Sequence, residues 1–439
     1  MNRSLISIPF LVLRVFSAGG AFVTGLFQTF VFAHVLSPQR FSVFILVAAI
    51  GYSLWFCDLG IVKLLFVRLR ERFLCDDQIG TVAGHAGAVI VFYMSLVLAG
   101  TVLCFAFMAM RSGVSIREAA EFALFFLFVA LNLVWFALRN IAVAVDRYVL
   151  FEALEGMRRV GYLVGLAAMY AGLPLIAMLI ALNLLWAVVL ALCIKRLVQC
   201  GALSARLSGS AARIAAFFRA NKTELMRSGV FSISEIFNAN YPYLIVPMLF
   251  GLGAPPIILD TTFKVFRGAN ASYGAACDLL VPRQTSALAE RDGPTMVRAT
   301  WLAVTLGGIP AAGACVLLLL AADKLFALLL GPAAKMPPQT TTILIILLLA
   351  GLAQLVAQNV LVHAGFFKEV AAISFSVAIL MVGLSMLATL VHFDIVQFLE
   401  GYAVVYSWGA FTAVALMIRG PIRLAHAAAG ALTDRTALN

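Results

Sequence analysis

Four charged positions in one apolar stretch carry the chemistry that a membrane tolerates least. Asp260, Lys264, Arg267, Ala271, Gly274 and Asp278 follow one another at steps of four, three, four, three and four. That spacing places them on one face of a helix. A charged side chain at the bilayer centre costs roughly 2.5–3.5 kcal/mol on insertion scales, so each charge needs a partner, water or a ligand. At helical rise, Lys264 and Arg267 lie roughly 12–17 Å below the outer end of their stretch, too deep to snorkel outward easily. The preceding stretch carries Ser228, Ser232, Glu235, Asn238 and Pro242 in the same rhythm. Pro242 and Pro247 are expected to break its ladder toward the outer end, where a cavity could use the freed carbonyls. Two polar faces imply a shared aqueous cavity, with Lys264, Arg267 and Asn238 as candidate binding groups. The alternative is a set of interhelical ion pairs, Asp260–Lys264 and Glu235–Arg267, that locks the helices together.

The first half of the chain repeats the theme. Arg14, Ser17, Ala21 and Gln28 share a helical face, and Asp58, within Asp58-Leu59-Gly60, lies at a depth matching Arg14, so the two are expected to pair. Asn132 and Arg139 are seven apart and nearly aligned, and Glu155 precedes Arg159 by one helical turn. Arg14, Arg139 and Arg159 therefore join the binding candidates, while Glu152, Arg158 and Arg159 also suit a solvated inner mouth. Asp58, Glu235 and Asp260 are the candidates for carrying a coupling ion. No Walker phosphate loop, metal-ligand cluster or nucleophile constellation occurs, so no cofactor, metal or direct use of ATP is expected. Gln354, Gln358 and Asn359 suit helix contact, and Gly161 with Gly165 suits close helix packing.

The elements that must hold these groups are membrane helices. Of the 439 residues, 63% are hydrophobic and only 12% charged, and the mean hydropathy is +1.04. Apolar runs long enough to cross a hydrocarbon core recur along the chain. Their expected limits are 7–34, 41–67, 82–109, 121–145, 149–171, 173–194, 226–250, 256–281, 298–321, 340–362, 370–391 and 396–418. The fold expected is an all-α integral membrane protein of about twelve transmembrane helices, in two six-helix lobes around a central cavity. The division is 1–195, a basic linker with an amphipathic helix at 196–225, and 226–439 with a short tail. Arginine and lysine concentrate in the loops assigned to the inside, whereas the outer loops hold only Arg40, Arg111, Arg117, Lys324 and Lys335. Both termini are therefore expected in the cytoplasm, and the net charge of +11 follows from topology. Nucleic acid is not an expected partner, and membrane lipids are. The stretch Ala211 to Arg219 suits a helix lying on the inner leaflet with Ile214, Phe217 and Phe218 in lipid, or a plain linker helix. Seven cysteines lie in spans or on the inner side, where a disulfide framework is not expected.

The segment from Arg14-Val15-Phe16-Ser17 to Val35-Leu36-Ser37-Pro38-Gln39-Arg40-Phe41, followed by Asp58-Leu59-Gly60, resembles the opening of bacterial polysaccharide flippases. Leu280-Val281-Pro282-Arg283 to Asp292-Gly293, Leu329-Leu330-Gly331-Pro332 and Val362 to Glu369 resemble later turns of the same family. The likeness is to the oligosaccharidyl-lipid flippase branch of the multidrug/oligosaccharidyl-lipid/polysaccharide exporter superfamily, with Ser37 where glycine is common and Phe41-Ser42 in place of Phe-Gly. It implies alternating access in a bacterial inner membrane and a polyprenyl-pyrophosphate-linked glycan as substrate. It also implies the polysaccharide polymerase and glycosyltransferases of the same pathway as partners.

Three functions compete. In a flippase, cationic groups would hold a pyrophosphate in low dielectric. In a cation-coupled multidrug exporter, Glu235 and Asp260 would carry protons or sodium. A membrane-embedded glycan polymerase or ligase would need catalytic groups in a long outer loop, and the outer loops are short.

Overall fold

The computed structural model describes residues 8–74, 80–204, 210–290, 292–331 and 333–422. Among these residues all regular structure is helical. The helices are α1 (Ile8–Val35), α2 (Pro38–Ser53), α3 (Ile61–Leu74), α4 (Gly80–Ala109), α5 (Ile116–Ala144), α6 (Tyr148–Tyr170) and α7 (Leu175–Gln199). They continue as α8 (Ser210–Ala220), α9 (Lys222–Phe250), α10 (Ala254–Glu290), α11 (Gly293–Leu330), α12 (Gln339–His363), α13 (Phe367–Val391) and α14 (Ile395–Met417). Among the described residues, eight helical stretches are long and apolar enough to cross a membrane: Pro38–Asp58, Val82–Ala109, Ile116–Ala144, Leu175–Gln199, Gly293–Leu330, Gln339–His363, Phe367–Val391 and Ile395–Gly420. α1 adds a shorter apolar piece, Gly19–Val35. α6, α9 and α10 have the length but carry the charges. The chain is an all-α, multi-pass integral membrane protein.

The helices depart from the expected spans in informative ways. The span expected at 41–67 is two helices, α2 and α3, parted by a 3-10 turn at Leu54–Asp58. Leu59 and Gly60 turn left-handed there, with φ of 47° and 79°. A left-handed non-glycine residue costs roughly 1–2 kcal/mol. Asp58 offsets that by accepting from the amides of Gly60 (3.2 Å) and Val62 (3.0 Å), so it caps the new helix. α9, by contrast, runs through Pro242 and Pro247 without ending. α10 and α11 contain 37 and 38 residues, about 55 Å each and far more than the roughly 30 Å of a hydrocarbon core. Asp292 starts α11 by accepting from the Thr295 amide at 3.0 Å, and hydrogen bonds from Thr295 hold its carboxyl below the usual aspartate value.

Two compact units result. The first comprises Met1–Leu13 with Val31–Pro247, the second Arg14–Phe30 with Met248–Asn439. This differs from the division expected at 196–225: nearly all of α9 belongs with the first unit, and residues 14–30 of α1 with the second. Close approach explains both. A Cβ on Gly229 of α9 would sit 3.3 Å from the Leu59 carbonyl oxygen, and one on Gly268 of α10 would collide with the Phe22 ring of α1. Small residues allow such contacts where helices meet in lipid.

In the first unit α5 is the central helix, packed by α2, α3, α4, α6 and α7. Phe32, Phe41, Phe44, Phe122 and Phe125 form an interlocked aromatic core, with Phe44 and Phe122 centroids 4.8 Å apart. α8 packs on α4: Phe217 is buried with its ring 5.5 Å from His85, and Arg213 lies over Gly84. The linker-helix reading fits this better than a Phe217 sunk in lipid. At the other end of α5, Ser115 and Glu118 form a capping box. In the second unit α10 packs on α11 and α12, and α14 on α12 and α13. Phe263 and Phe266 of α10 meet Tyr402 and Tyr406 of α14 at 4.8 and 5.0 Å.

Candidate functional site

In the second unit the first turns of α10 hold the Asp260–Lys264 contact that the ion-pair alternative called for. Lys264 Nζ lies 2.7 Å from Asp260 Oδ2, one helical turn away, and the two side chains are 18% and 8% exposed. Lys264 also donates to Thr29 Oγ1 of α1 at 2.9 Å, and the Thr29 hydroxyl donates in turn to the Gly25 carbonyl at 3.2 Å. The lysine stem runs past Gly25, where a Cβ would sit 3.9 Å from Lys264 Cγ and Cδ, an ordinary contact distance. Arg267, one turn further, holds its guanidinium 5.8 Å from the centre of the Phe263 ring. The hydroxyls of Thr261 and Thr262 are used locally, on the carbonyls of Ile257 and Ile258. Asp278 ends the ladder with a side chain outside the described residues.

A second line of polarity runs beside this face. Asn270 Oδ1, Tyr273 Oη, Gln354 Oε1, Gln358 Nε2 and Asn359 Nδ2 are buried with no hydrogen-bond partner among the described residues. Asn270 Oδ1 rests against α12, where a Cβ on Gly351 would come within 2.5 Å of it. Gln354, Gln358 and Asn359 thus stand on a helix that packs closely, as expected, but their amides are not consumed by that packing. An unmet buried amide costs roughly 1–3 kcal/mol, so this line is suited to water or a polar ligand.

The first unit treats its charges differently. Asp58 is buried, and besides its two amide donors it accepts from the Tyr93 hydroxyl at 2.6 Å. Its expected partner Arg14 has a side chain outside the described residues. Glu235 interacts electrostatically with Lys63 of α3, as Asp58 does. On α6, Glu155 receives Arg158 in a fork (2.7 and 2.9 Å), Arg159 (2.7 Å) and the Trp135 indole N–H (2.8 Å). Arg158 also stacks 4.6 Å over the Trp186 ring. Arg159 is therefore engaged by a buried carboxylate, which speaks for the ion-pair role over a solvated mouth. Arg139 and Asn238 are half-buried on α5 and α9. Pro242 cannot donate to the Asn238 carbonyl, so the expected loss of a ladder bond occurs without a break in the helix.

Sequence reasoning did not select Thr29, Lys63, Tyr93 or Trp135. Lys63 had a signal, a lysine inside an apolar run. Thr29, Tyr93 and Trp135 had none, since hydroxyl and indole groups are common in membrane helices and become specific only through a partner on another helix.

With this geometry in view, the fold can be compared with solved structures. An inward-facing multidrug resistance MATE family transporter of the MOP superfamily superposes with a TM-score of 0.62, at 14% identity over 95% of this chain and 96% of that one. A MATE protein in complex with MaL6 gives 0.59 at 13% identity, covering 94% and 96%. The bent form of the Vibrio cholerae MATE transporter VcmN gives 0.57 at 13% identity, covering 94% and 97%. No protein-family model matches the chain, and no curated protein matches it by sequence. The chain thus has the fold of MATE transporters of the MOP superfamily over nearly its whole length.

Proposed function

We propose that the protein is an inner-membrane flippase that carries a polyprenyl-pyrophosphate-linked oligosaccharide from the cytoplasmic to the periplasmic leaflet for surface polysaccharide assembly. Support comes first from the pair of cations one turn apart on α10. Lys264 is held by Asp260 and Thr29, and Arg267 lies beside an aromatic face, both within a helix of membrane length. A pyrophosphate needs several positive donors once it leaves water, and a guanidinium offers it two parallel hydrogen bonds. Lys264 would exchange Asp260 for a phosphate oxygen. Asp260, left buried without its cation, would then take up a proton or cation, because an unpaired buried carboxylate is costly. This exchange would couple anion binding to cation uptake at one residue pair. The resemblance of the turns at Ser37-Pro38 and Asp58-Leu59-Gly60 to polysaccharide flippases supports the substrate, and the lysine and arginine bias of the loops supports cytoplasmic termini.

A second reading, a cation-coupled multidrug exporter, is favoured by the fold shared with multidrug MATE transporters and assigns Asp260 and Glu235 to ion coupling. One experiment separates the two. Protein reconstituted into vesicles is given a polyprenyl-pyrophosphate-linked sugar, and separately a fluorescent organic cation under a proton or sodium gradient. The flippase reading expects lipid-linked sugar to change leaflet in a manner lost in Lys264→Gln and Arg267→Gln, with Arg267→Lys only partly active. Full translocation by a stable double glutamine variant removes these residues from phosphate binding. Gradient-driven cation movement without sugar translocation establishes the exporter instead.

A further inference from the structure

A cavity of about 480 Å³ lies between α12 and α14 of the second unit, away from the charged face of α10. Gln339, Thr342 and Ile346 line it from α12, and Glu400, Val404 and Ser407 from α14. Its chemistry is uneven along its length. Glu400 makes no ion pair or hydrogen bond among the described residues, although it is the sixth residue of a membrane helix, about 8 Å below the helix start. Gln339 and Thr342 stand opposite in the first turn of α12, and neither side chain makes a hydrogen bond among the described residues. Lower in the groove, Ser407 Oγ is buried without a hydrogen-bond partner among the described residues. Around and beyond it the exposed large side chains are hydrophobic: Val404, Trp408 and Phe411 on α14, with Ile346 and Leu349 on α12. The residues at 400, 404, 408 and 411 follow helical spacing, so the carboxylate and the apolar stripe share one face.

We infer that this groove binds a zwitterionic phospholipid whose headgroup carries a primary ammonium, in the leaflet level with the α11–α12 and α13–α14 turns. The ammonium answers the Glu400 carboxylate. The adjoining phosphate answers the amide of Gln339 and the hydroxyl of Thr342, at the N-terminus of α12 where the backbone dipole favours a negative group. An acyl chain covers the stripe from Val404 to Phe411. An anionic lipid lacks the ammonium and meets the carboxylate with like charge. A wholly apolar occupant would leave Glu400 without a counter-charge.

Native mass spectrometry of the full-length protein tests this, with phosphatidylethanolamine, phosphatidylcholine and phosphatidylglycerol offered in equal amounts. The ethanolamine lipid should be retained in preference to the others. Glu400→Gln should cut its retention about fivefold, the ratio of about 1 kcal/mol that one partly exposed ion pair supplies. Val404→Trp fills the groove with Glu400 intact and should also lose the lipid. Both variants should melt like the parent in lipid-free detergent. Equal retention of all three lipids, or undiminished ethanolamine lipid on Glu400→Gln, overturns the inference. Retention of an alkylammonium detergent with no ethanolamine lipid assigns the carboxylate to a free organic cation and overturns it as well.

Discussion

Replacing Lys264 by glutamine removes the only cation within ion-pair distance of Asp260 among the described residues, and the geometry sets what that should cost. The carboxylate is 8% exposed and its partner ammonium 2.7 Å away. Breaking such a buried pair by deleting one member costs roughly 3–5 kcal/mol, because the remaining charge keeps its desolvation penalty without its attraction. The Thr29 hydrogen bond is lost in addition, but glutamine can donate to Thr29 and recover part of it. Asp260→Asn should cost less, since Lys264 is 18% exposed and its long stem can carry the ammonium toward water. The double variant, Asp260→Asn with Lys264→Gln, has no buried charge left and two amides one helical turn apart. It should fall within about 1–2 kcal/mol of the parent, so the coupling between the sites is roughly 2–3 kcal/mol plus the cost of Asp260→Asn alone. For a unit of this size each kcal/mol corresponds to roughly 2–4 °C of melting temperature. Thermal melting in detergent at a fixed scan rate should then show Lys264→Gln lower by roughly 6–20 °C and the double variant lower by only a few degrees. Additive losses across the cycle would refute the pair as a stabilising contact. A Lys264→Gln protein that melts like the parent would show that Asp260 is neutral or hydrated in the folded protein.

Asp58→Ala should destabilise the first unit by roughly 2–4 kcal/mol, since the carboxylate holds two amides and the Tyr93 hydroxyl across the left-handed turn; Tyr93→Phe should cost less on the Asp58→Ala background than in the parent, and equal losses in melting on both backgrounds would break the network. Gly268→Val should cost roughly 1–3 kcal/mol because its side chain would enter the Phe22 ring of α1, whereas Gly274→Ala, with only Leu355 at 3.9 Å, should be tolerated. Equal melting temperatures for those two variants would remove α1 from the second unit.

The apolar runs set the class of the protein and most of its helices before any packing is known, because a hydrocarbon core imposes length and apolarity on every crossing. Within one helix the spacing of charges was also enough: Asp260 with Lys264, and Glu155 with Arg159, are neighbours by helical geometry alone. The break at Asp58-Leu59-Gly60 was not legible, since the apolar pattern continues across it and only the left-handed turn and its caps reveal two helices. Nor could the sequence decide which charges are paired across helices. Lys264 meets Thr29 from 235 positions away and Asp58 meets Tyr93 from 35, contacts that depend on how helices pack. The same holds for the two compact units. Chain order suggested six helices followed by six, but hydropathy carries no information about which helix a crossing packs against. That was decided by Gly268 admitting Phe22 and Gly229 admitting the Leu59 backbone, at the close approaches that assign α1 and α9 to their units.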